Sequence, residues 1–311
     1  MDTNQIIFRK ATQKDIPQIM SLINTKWANY NSENHYTWML FNAAIPVVTT
    51  GAFYKDKLIG MFTLHKRKLS NGYECGLASG LIIDDQWKGK GYFPILGNMA
   101  ISTFKDLDLV CSLPNIIGKS ALERSLEFKT VGKISTMILD SLEEPKGIDE
   151  EVSYAPVTME TQFTRMEKDN SYFMFETNHS YRLWRFALHS LYKYYVITFS
   201  SNEFVIVKVF KNSETGINYG DILDFECSLT NTERLKKIIL SSCWVLQQKM
   251  GADLVTIWTN PNSLLCKVTK ELGFTEADHN PFFCVRVLNS MLEHLYDYSS
   301  WHIVRADILP H

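Results

Sequence analysis

A chain of 311 residues is long for one compact core and suits two domains of about 150 residues each. Its 45% hydrophobic and 21% charged residues are those of a soluble globular protein, and a formal charge of −2 gives it no overall attraction to nucleic acid or to an anionic membrane. Cys75, Cys111, Cys227, Cys243, Cys266 and Cys284 stand far apart, with no CxxC pair and no clustered histidines. That spacing argues against a zinc centre and against a dense disulfide framework. The opening MDTNQIIFRK lacks the apolar core of a secretory signal, and no apolar run approaches the ~20 residues that span a bilayer. A cytoplasmic protein without metal, membrane or nucleic-acid partner is expected.

In chain order, residues 6–10 (IIFRK) read as a strand, and Thr12-Gln-Lys-Asp15 as a helix start feeding Ile16, Ile19, Met20 and Ile23 at helical spacing. Gly51–Tyr54 and Leu58–Leu64 read as strands about the turn Lys55-Asp56-Lys57, and Tyr73–Asp84 as another after Ser70-Asn71-Gly72. The segment QWKGKGYF (86–93) follows, then a helix over Ile95–Phe104, a strand over Leu107–Leu113, a helix over Ser120–Phe128 and a closing strand over Val131–Leu139. Polar residues with Pro145 and Gly147 suggest a junction at 140–150, hence domains 1–145 and 146–311. Beyond it the spacing predicts strands at Phe204–Phe210, Asp221–Phe225, Leu254–Thr259 and Phe282–Leu288, and helices at Thr232–Met250 and Ser263–Leu272. DLVCSLPN, a helix and SLEFKTVGK in the first half find a counterpart in DLVTIWTNPN, a helix and ELGFTEADH in the second, which suggests an internal repeat.

A loop that binds pyrophosphate needs close backbone approach and free N–H groups, and glycines before a helix start provide both. Gly89 and Gly91 lie between a strand and a helix, with Lys88 and Lys90 beside them. The dinucleotide fingerprint is excluded, because Pro94 stands where its third glycine belongs, and no Gly-Lys-Ser/Thr follows to make a P-loop.

Gln86, Gly89 and Gly91 satisfy the pattern Q/R-x-x-G-x-G/A, and PNIIGKSALERSLEFKTVG follows at 114–132. In these segments the chain resembles the GNAT acyltransferases, in particular tandem proteins of sugar and polysaccharide pathways, with Glu127 in place of a usual glycine. The resemblance implies an α/β fold of tandem GNAT-like domains, each a mixed, mostly antiparallel central sheet flanked by helices, and acetyl-CoA as co-substrate. It implies that strand Ser79–Ile83 splays from its neighbour near Leu107–Leu113 to admit pantetheine. Amides around Leu81, Ile82 and Ile83 would then hold the thioester arm, and Lys88, Gly89, Lys90, Gly91, Tyr92 and Phe93 the pyrophosphate, with Asn115 touching the cofactor.

Acetyl transfer to an amine needs a proton acceptor for the amine and a proton source for the thiolate. Glu74 is the first candidate base, against a salt-bridged strand carboxylate; Asp84 and Asp85 read as strand terminators. Glu123 occupies the helix position of the family's acid tyrosine, and no tyrosine lies between Tyr92 and Tyr154, which leaves a tyrosine from elsewhere in the chain, Ser120, Ser125 or water as substitutes. His65 could act as a base near neutral pH, but a lone histidine in the run HKRK (65–68) more often reads as a surface residue, and the run as a solvated turn or a face for CoA phosphate. In the second half, ECSLTNTERL stands where the glycine loop would recur and has no glycine, so that half is expected to be degenerate and not to bind acetyl-CoA. SYRLWRFALHSLYKYYVI and WHIVRADILP resemble segments of the tandem family, the latter with Ala306 and Leu309 as departures. They make Trp184, Arg185 and Tyr192 candidates for acceptor binding, against core packing. The resulting expectation is an N-acetyltransferase acting on a small-molecule amine, an amino sugar or nucleotide-linked amino sugar by resemblance. The alternatives are a protein-lysine or other amine acetyltransferase and a non-catalytic acyl-CoA-binding protein.

Overall fold

The computed structural model describes residues 5–26, 32–142, 148, 152–164 and 172–308. Pro145, Gly147 and Leu309, on which three of the expectations above bear, lie outside them. Strands β1 (Ile6–Lys10), β2 (Val47–Tyr54), β3 (Lys57–Lys68), β4 (Glu74–Ile83), β5 (Leu109–Ser112), β6 (Lys129–Lys133) and β7 (Ser135–Leu139) are interleaved with helices α1 (Ile16–Asn24), α2 (Glu33–Leu40), α3 (Tyr92–Thr103) and α4 (Ile116–Leu126). Strand β8 (Ser153–Pro156) precedes α5 (His179–Arg182), which continues as a π-helical turn over Leu183–Ala187. Next come β9 (Tyr195–Thr198), β10 (Phe204–Lys211), β11 (Asn218–Glu226), α6 (Thr232–Trp244) with a π-helical turn over Val245–Lys249, β12 (Leu254–Thr259), α7 (Leu264–Glu271), β13 (Thr275–Glu276) and β14 (Phe282–Val287).

Two compact units result. One comprises residues up to Gly132 with Phe282–Tyr296, the other Lys133–Pro281 with Asp297–Ile308. Each holds a seven-stranded mixed sheet, in the orders β1-β2-β3-β4-β5-β14-β6 and β13-β7-β12-β11-β10-β9-β8. The expected division at 145/146 therefore does not describe the sheets. The single closing strand expected over Val131–Leu139 is broken at Ile134, and its halves β6 and β7 enter different sheets. Phe282–Leu288, expected to close the second half, instead supplies β14, which pairs antiparallel with β5 of the first sheet (Cys284 opposite Ser112).

In the first unit, Thr12 and Asp15 form a capping box: Thr12 N and Oγ1 both donate to Asp15 Oδ2, at 2.7 and 2.9 Å. Ile16, Ile19 and Ile23 of α1 are buried at that helical spacing. The alternation of β3 sends Phe62 and Leu64 into a core with Leu96 and Ala100 of α3 and Leu122 and Leu126 of α4. Each such buried leucine stabilises the fold by about 2 kcal/mol. Met61, Thr63 and His65 point to the opposite face, where α1 and α2 pack. In the second unit Val205, Val207, Ile222, Val255 and Ile257 form the core with Leu235, Ile238 and Ile239 of α6 and Leu265 and Val268 of α7. Among the described residues no helix is long and apolar enough to cross a membrane.

Candidate functional site

The site starts from a change of partner along β4. Its parallel pairing with β5 runs from Cys75–Leu109 to Ala78–Ser112 and stops there, with Ser112 Oγ donating to Ala78 O at 3.1 Å. On its other side β4 stays paired with β3 as far as Ile83, through a bulge that sets Gly80 and Leu81 against Phe62. Gly80 takes φ +57, which an L side chain rarely adopts, and a Cβ there would meet Thr63 Oγ1 at 3.2 Å. Burial follows the pairing: Cys75–Ala78 are buried, and Ser79, Gly80 and Leu81 become half-exposed. The strand edge over Ser79–Ile83 thus faces no β5 neighbour, which is the splay expected for a pantetheine arm.

Beyond Ile83 the chain turns into the glycine loop. Asp84 Oδ1 accepts from Gln86 N at 3.1 Å and caps the short turn Asp85–Trp87, and its other oxygen holds Lys57 at 3.1 Å. Gly89 and Gly91 lie at φ +75 and +79, and a Cβ at either would meet nothing within 4 Å. The loop is therefore left-handed and open rather than packed. Gly91 is the N-cap of α3 and has no side chain to cap it. Among the described residues no oxygen accepts from the amides of Gly89, Gly91, Tyr92 or Phe93. Unpaired amides at the positive end of a helix favour phosphate oxygens. The lysines are held in place: Lys88 pairs with Asp85 at 2.6 Å, and Lys90 lies over the Trp87 ring at 4.3 Å. Lys26 and Lys88 together hold the Asp85 carboxyl down at about 2.

The candidate acid–base residues fare differently. Glu74 opens β4, about 17 Å of extended chain from Ser79, and pairs with Lys66 at 3.3 Å. It stands at the wrong end of the strand for the splay and is a salt-bridged strand carboxylate. Glu123 accepts from Thr130 Oγ1 at 2.7 Å and pairs with Lys119 at 3.5 Å. The Thr130 hydrogen bond, then the Lys119 charge, lower its pKa, so it is a poor proton donor. Asn115 caps α4, its Oδ1 accepting from Gly118 N at 2.9 Å, directly after the strand end. Ser120 Oγ donates back to Ile116 O at 3.1 Å.

His65 is corrected most. It is fully buried in β3, not exposed in a turn, and Arg67 of the same basic run is buried too. His65 Nε2 lies 3.1 Å from Ser79 Oγ, the first residue of the splayed stretch. Thr63, opposite Ser79 in register, shares a 2.9 Å hydrogen bond with Thr49. A polar row of Thr49, Thr63, Ser79 and His65 therefore crosses the α1/α2 face at the bulge. Sequence reasoning missed it because β3 was ended at Leu64; the lone glycine in ASGLII was the available signal for the bulge.

The second unit repeats the geometry without the opening. β11 pairs in parallel with β12 from Tyr219–Leu254 to Ile222–Ile257, then runs on past a bulge paired only with β10, as far as Glu226. Here the ends are bridged by the chain itself: Asn260 Nδ2 donates to Tyr298 O at 2.6 Å and Trp301 O at 2.8 Å, and the next residue, His302, sets its ring 5.4 Å from Phe225. The following helix α6 is capped, Asn231 Oδ1 accepting from Arg234 N at 3.0 Å. Of the acceptor candidates, Trp184 is buried against Tyr181. Arg185 and Tyr192 both neighbour Tyr194, Arg185 donating to its hydroxyl at 3.4 Å and Tyr192 lying 6.5 Å from its ring.

No family model matches the sequence, and no curated protein matches it. Solved structures do. A GCN5-related N-acetyltransferase from Anabaena variabilis superposes with a TM-score of 0.65 at 13% identity, over 92% of this chain and 73% of that one. A GCN5-related N-acetyltransferase from Kribbella flavida gives a TM-score of 0.60 at 9% identity, over 92% and 72%. Saccharomyces cerevisiae N-myristoyltransferase with bound myristoyl-CoA gives 0.59 at 10% identity, over 90% and 82%. The matches run through nearly the whole chain, so the likeness takes in both units. The chain has the α/β fold of the GCN5-related N-acetyltransferases, in a tandem arrangement of two mixed sheets flanked by helices.

Proposed function

We propose that the chain is an acyl-CoA-dependent acyltransferase of the cytoplasm, moving acetyl from acetyl-CoA to the primary amine of a small molecule. An amino sugar or nucleotide-linked amino sugar is the favoured acceptor. The observation that carries the reading is one conjunction in the first unit: a strand edge that loses its parallel neighbour after Ala78 leads into a loop whose glycine amides lack acceptors. The fold shared with N-acetyltransferases and with an acyl-CoA-bound N-myristoyltransferase supports it. The amides of Gly89–Phe93 would hold the pyrophosphate and the edge over Leu81–Ile83 the thioester arm. The second unit, bridged at its own strand ends, would serve acceptor binding or the structure.

In the reaction the amine nitrogen attacks the thioester carbon, the C–N bond forms, the C–S bond breaks, and the thiolate leaves. The ammonium proton must go first to a base. His65 with Ser79 takes that role in place of Glu74, because this pair sets a histidine at the splay. Titration calorimetry with CoA, and CoA release from acetyl-CoA across amino sugars, nucleotide-linked amino sugars, other amines and lysine peptides, test the reading. Binding to the first unit and release with the sugars are expected. His65→Ala should lower kcat by about 100-fold with CoA affinity unchanged. Absence of CoA binding sinks the proposal. A second reading, a non-catalytic acyl-CoA-binding protein, is favoured by α4, which offers only a carboxylate held ionised where a proton donor is needed. CoA binding without turnover on any amine would establish it.

A further inference from the structure

One face of the second sheet carries more positive charge than its carboxylates balance. Lys208, Asp221 and Thr256 are register neighbours on β10, β11 and β12, so their side chains stand in a row. Asp221 is fully buried; Arg305 Nη1 lies 2.9 Å from its Oδ1, and Lys208 Nζ 3.4 Å from its Oδ2. Arg185, on the π-helical turn that follows α5, joins the cluster through two rings: it donates to Tyr194, whose ring lies 6.5 Å from that of Tyr192, and Lys208 Nζ lies 4.2 Å over Tyr192. Burial lowers the Lys208 pKa, Asp221 opposes the shift, and Arg305 and Arg185 add to it. Three cations thus share a single carboxylate.

Arg185 is the least compensated. It is 3% exposed, and no carboxylate reaches it among the described residues. Nη1 donates to Tyr194 Oη at 3.4 Å and Nη2 to Ile308 O at 3.2 Å, while the buried Nε has no acceptor. Arg182, one turn earlier, shows the contrast: its Nε donates to Asp224 at 3.0 Å and its Nη2 to Glu226 at 2.8 Å. A buried guanidinium with an orphaned N–H and two neutral contacts is costly unless an anion joins it. The cluster opens outward, since the side chain of Lys208 is 13% exposed and that of Arg305 28%. The rings of Tyr192 and Phe210 flank Lys208 Nζ at 4.2 and 4.5 Å, which gives the opening an aromatic wall.

We infer that Arg185, Lys208 and Arg305 form a binding site for a small anionic group, a phosphate or a carboxylate, on the second unit. Arg185 supplies a guanidinium edge for two oxygens, Lys208 a point charge beside an aromatic wall, and Arg305 the solvent-side contact. Three cationic groups offer a partner to each oxygen of a phosphate, which suits it better than a carboxylate. The site lies wholly within the second unit, so it stands or falls separately from CoA binding at the first.

The test titrates the full chain with inorganic phosphate and, in a second arm, with glucuronate, against chloride at fixed ionic strength, by calorimetry and thermal unfolding. Saturable binding of one of the two is expected, with phosphate the tighter. It should weaken at least about tenfold in Arg185→Gln and in Lys208→Met, the loss of one charge-assisted hydrogen bond. A CoA titration of each variant checks its first unit, and near-ultraviolet circular dichroism its second. If Arg185→Gln fails to fold, Lys208→Met and Arg305→Gln carry the comparison. Wild-type protein that binds neither anion, or folded variants that bind as tightly as wild type, would overturn the inference.

Discussion

Gly91 holds φ +79 at the N-cap of α3 in open space, so a side chain there meets no steric obstacle and is opposed by backbone conformation alone. Gly91→Val should cost about 1–2 kcal/mol of stability and weaken CoA binding at least about tenfold by turning the loop amides away; calorimetry and thermal unfolding read the two effects separately. Glu127 poses the reverse case. It takes φ +58 as the left-handed C-cap of α4, a conformation that favours glycine. Its ion pair with Arg286 is largely solvated, so Glu127→Gly should stabilise the protein by about 1 kcal/mol in urea unfolding. His302 sets the pH dependence of the second unit. Burial, opposed by Asp224, lowers its pKa from 6.5 to about 4. The unfolded chain therefore binds more protons between those values, and stability present above pH 6.5 is lost as pH falls towards 4, by on the order of 2–3 kcal/mol. In His302→Gln, melting temperatures measured between pH 7 and 4.5 should fall less steeply than in wild type.

At the scale of elements, the two units differ less in their strands than in what lies beyond them. β4 and β11 each bulge and outrun a parallel neighbour. In the first unit the loop that follows carries glycines with positive φ and unpaired amides, whereas in the second Asn231 caps the helix and Asn260 binds the chain across the strand ends. Asn260→Ala removes two buried hydrogen bonds, those to Tyr298 O and Trp301 O, while Tyr298 O keeps the one from Trp301 N. It should destabilise the second unit by about 2–4 kcal/mol in denaturant unfolding. The loss should be accompanied by faster amide exchange over Tyr298–His302, since that segment is what Asn260 holds.

At the scale of the whole molecule, each sheet takes strands from both halves of the sequence: β14 lies between β5 and β6, and β7 lies between β13 and β12. A fragment of residues 1–142 would keep β5 and β6 but lack the strand between them. Its β5 edge would be exposed and unpaired, which favours aggregation. Such a fragment should show no cooperative thermal transition by circular dichroism and should aggregate, while the intact chain unfolds cooperatively.

Much of the architecture was written locally. The Thr12–Asp15 cap, the 3.6-residue spacing of α1, the alternation of β3 and the paired strand–Asn–helix segments at 108–126 and 253–271 are short-range patterns, and they determined the elements and the internal repeat. The glycine loop was equally legible, because positive φ and close approach depend on the residue itself. Strand exchange was not, since an apolar strand such as Phe282–Val287 satisfies either sheet edge and only long-range pairing chooses between them. Nor was the placement of charge: Glu74 and His65 exchange importance only once β3 and β4 are in register, which puts the carboxylate at the far end of the strand and buries the histidine beside Ser79. By itself the sequence determined where the glycine loop with positive φ precedes a helix start. The tertiary structure decided which ionisable groups stand near the opening and which charges lie buried without partners, because burial and pairing are properties of neighbours distant along the chain.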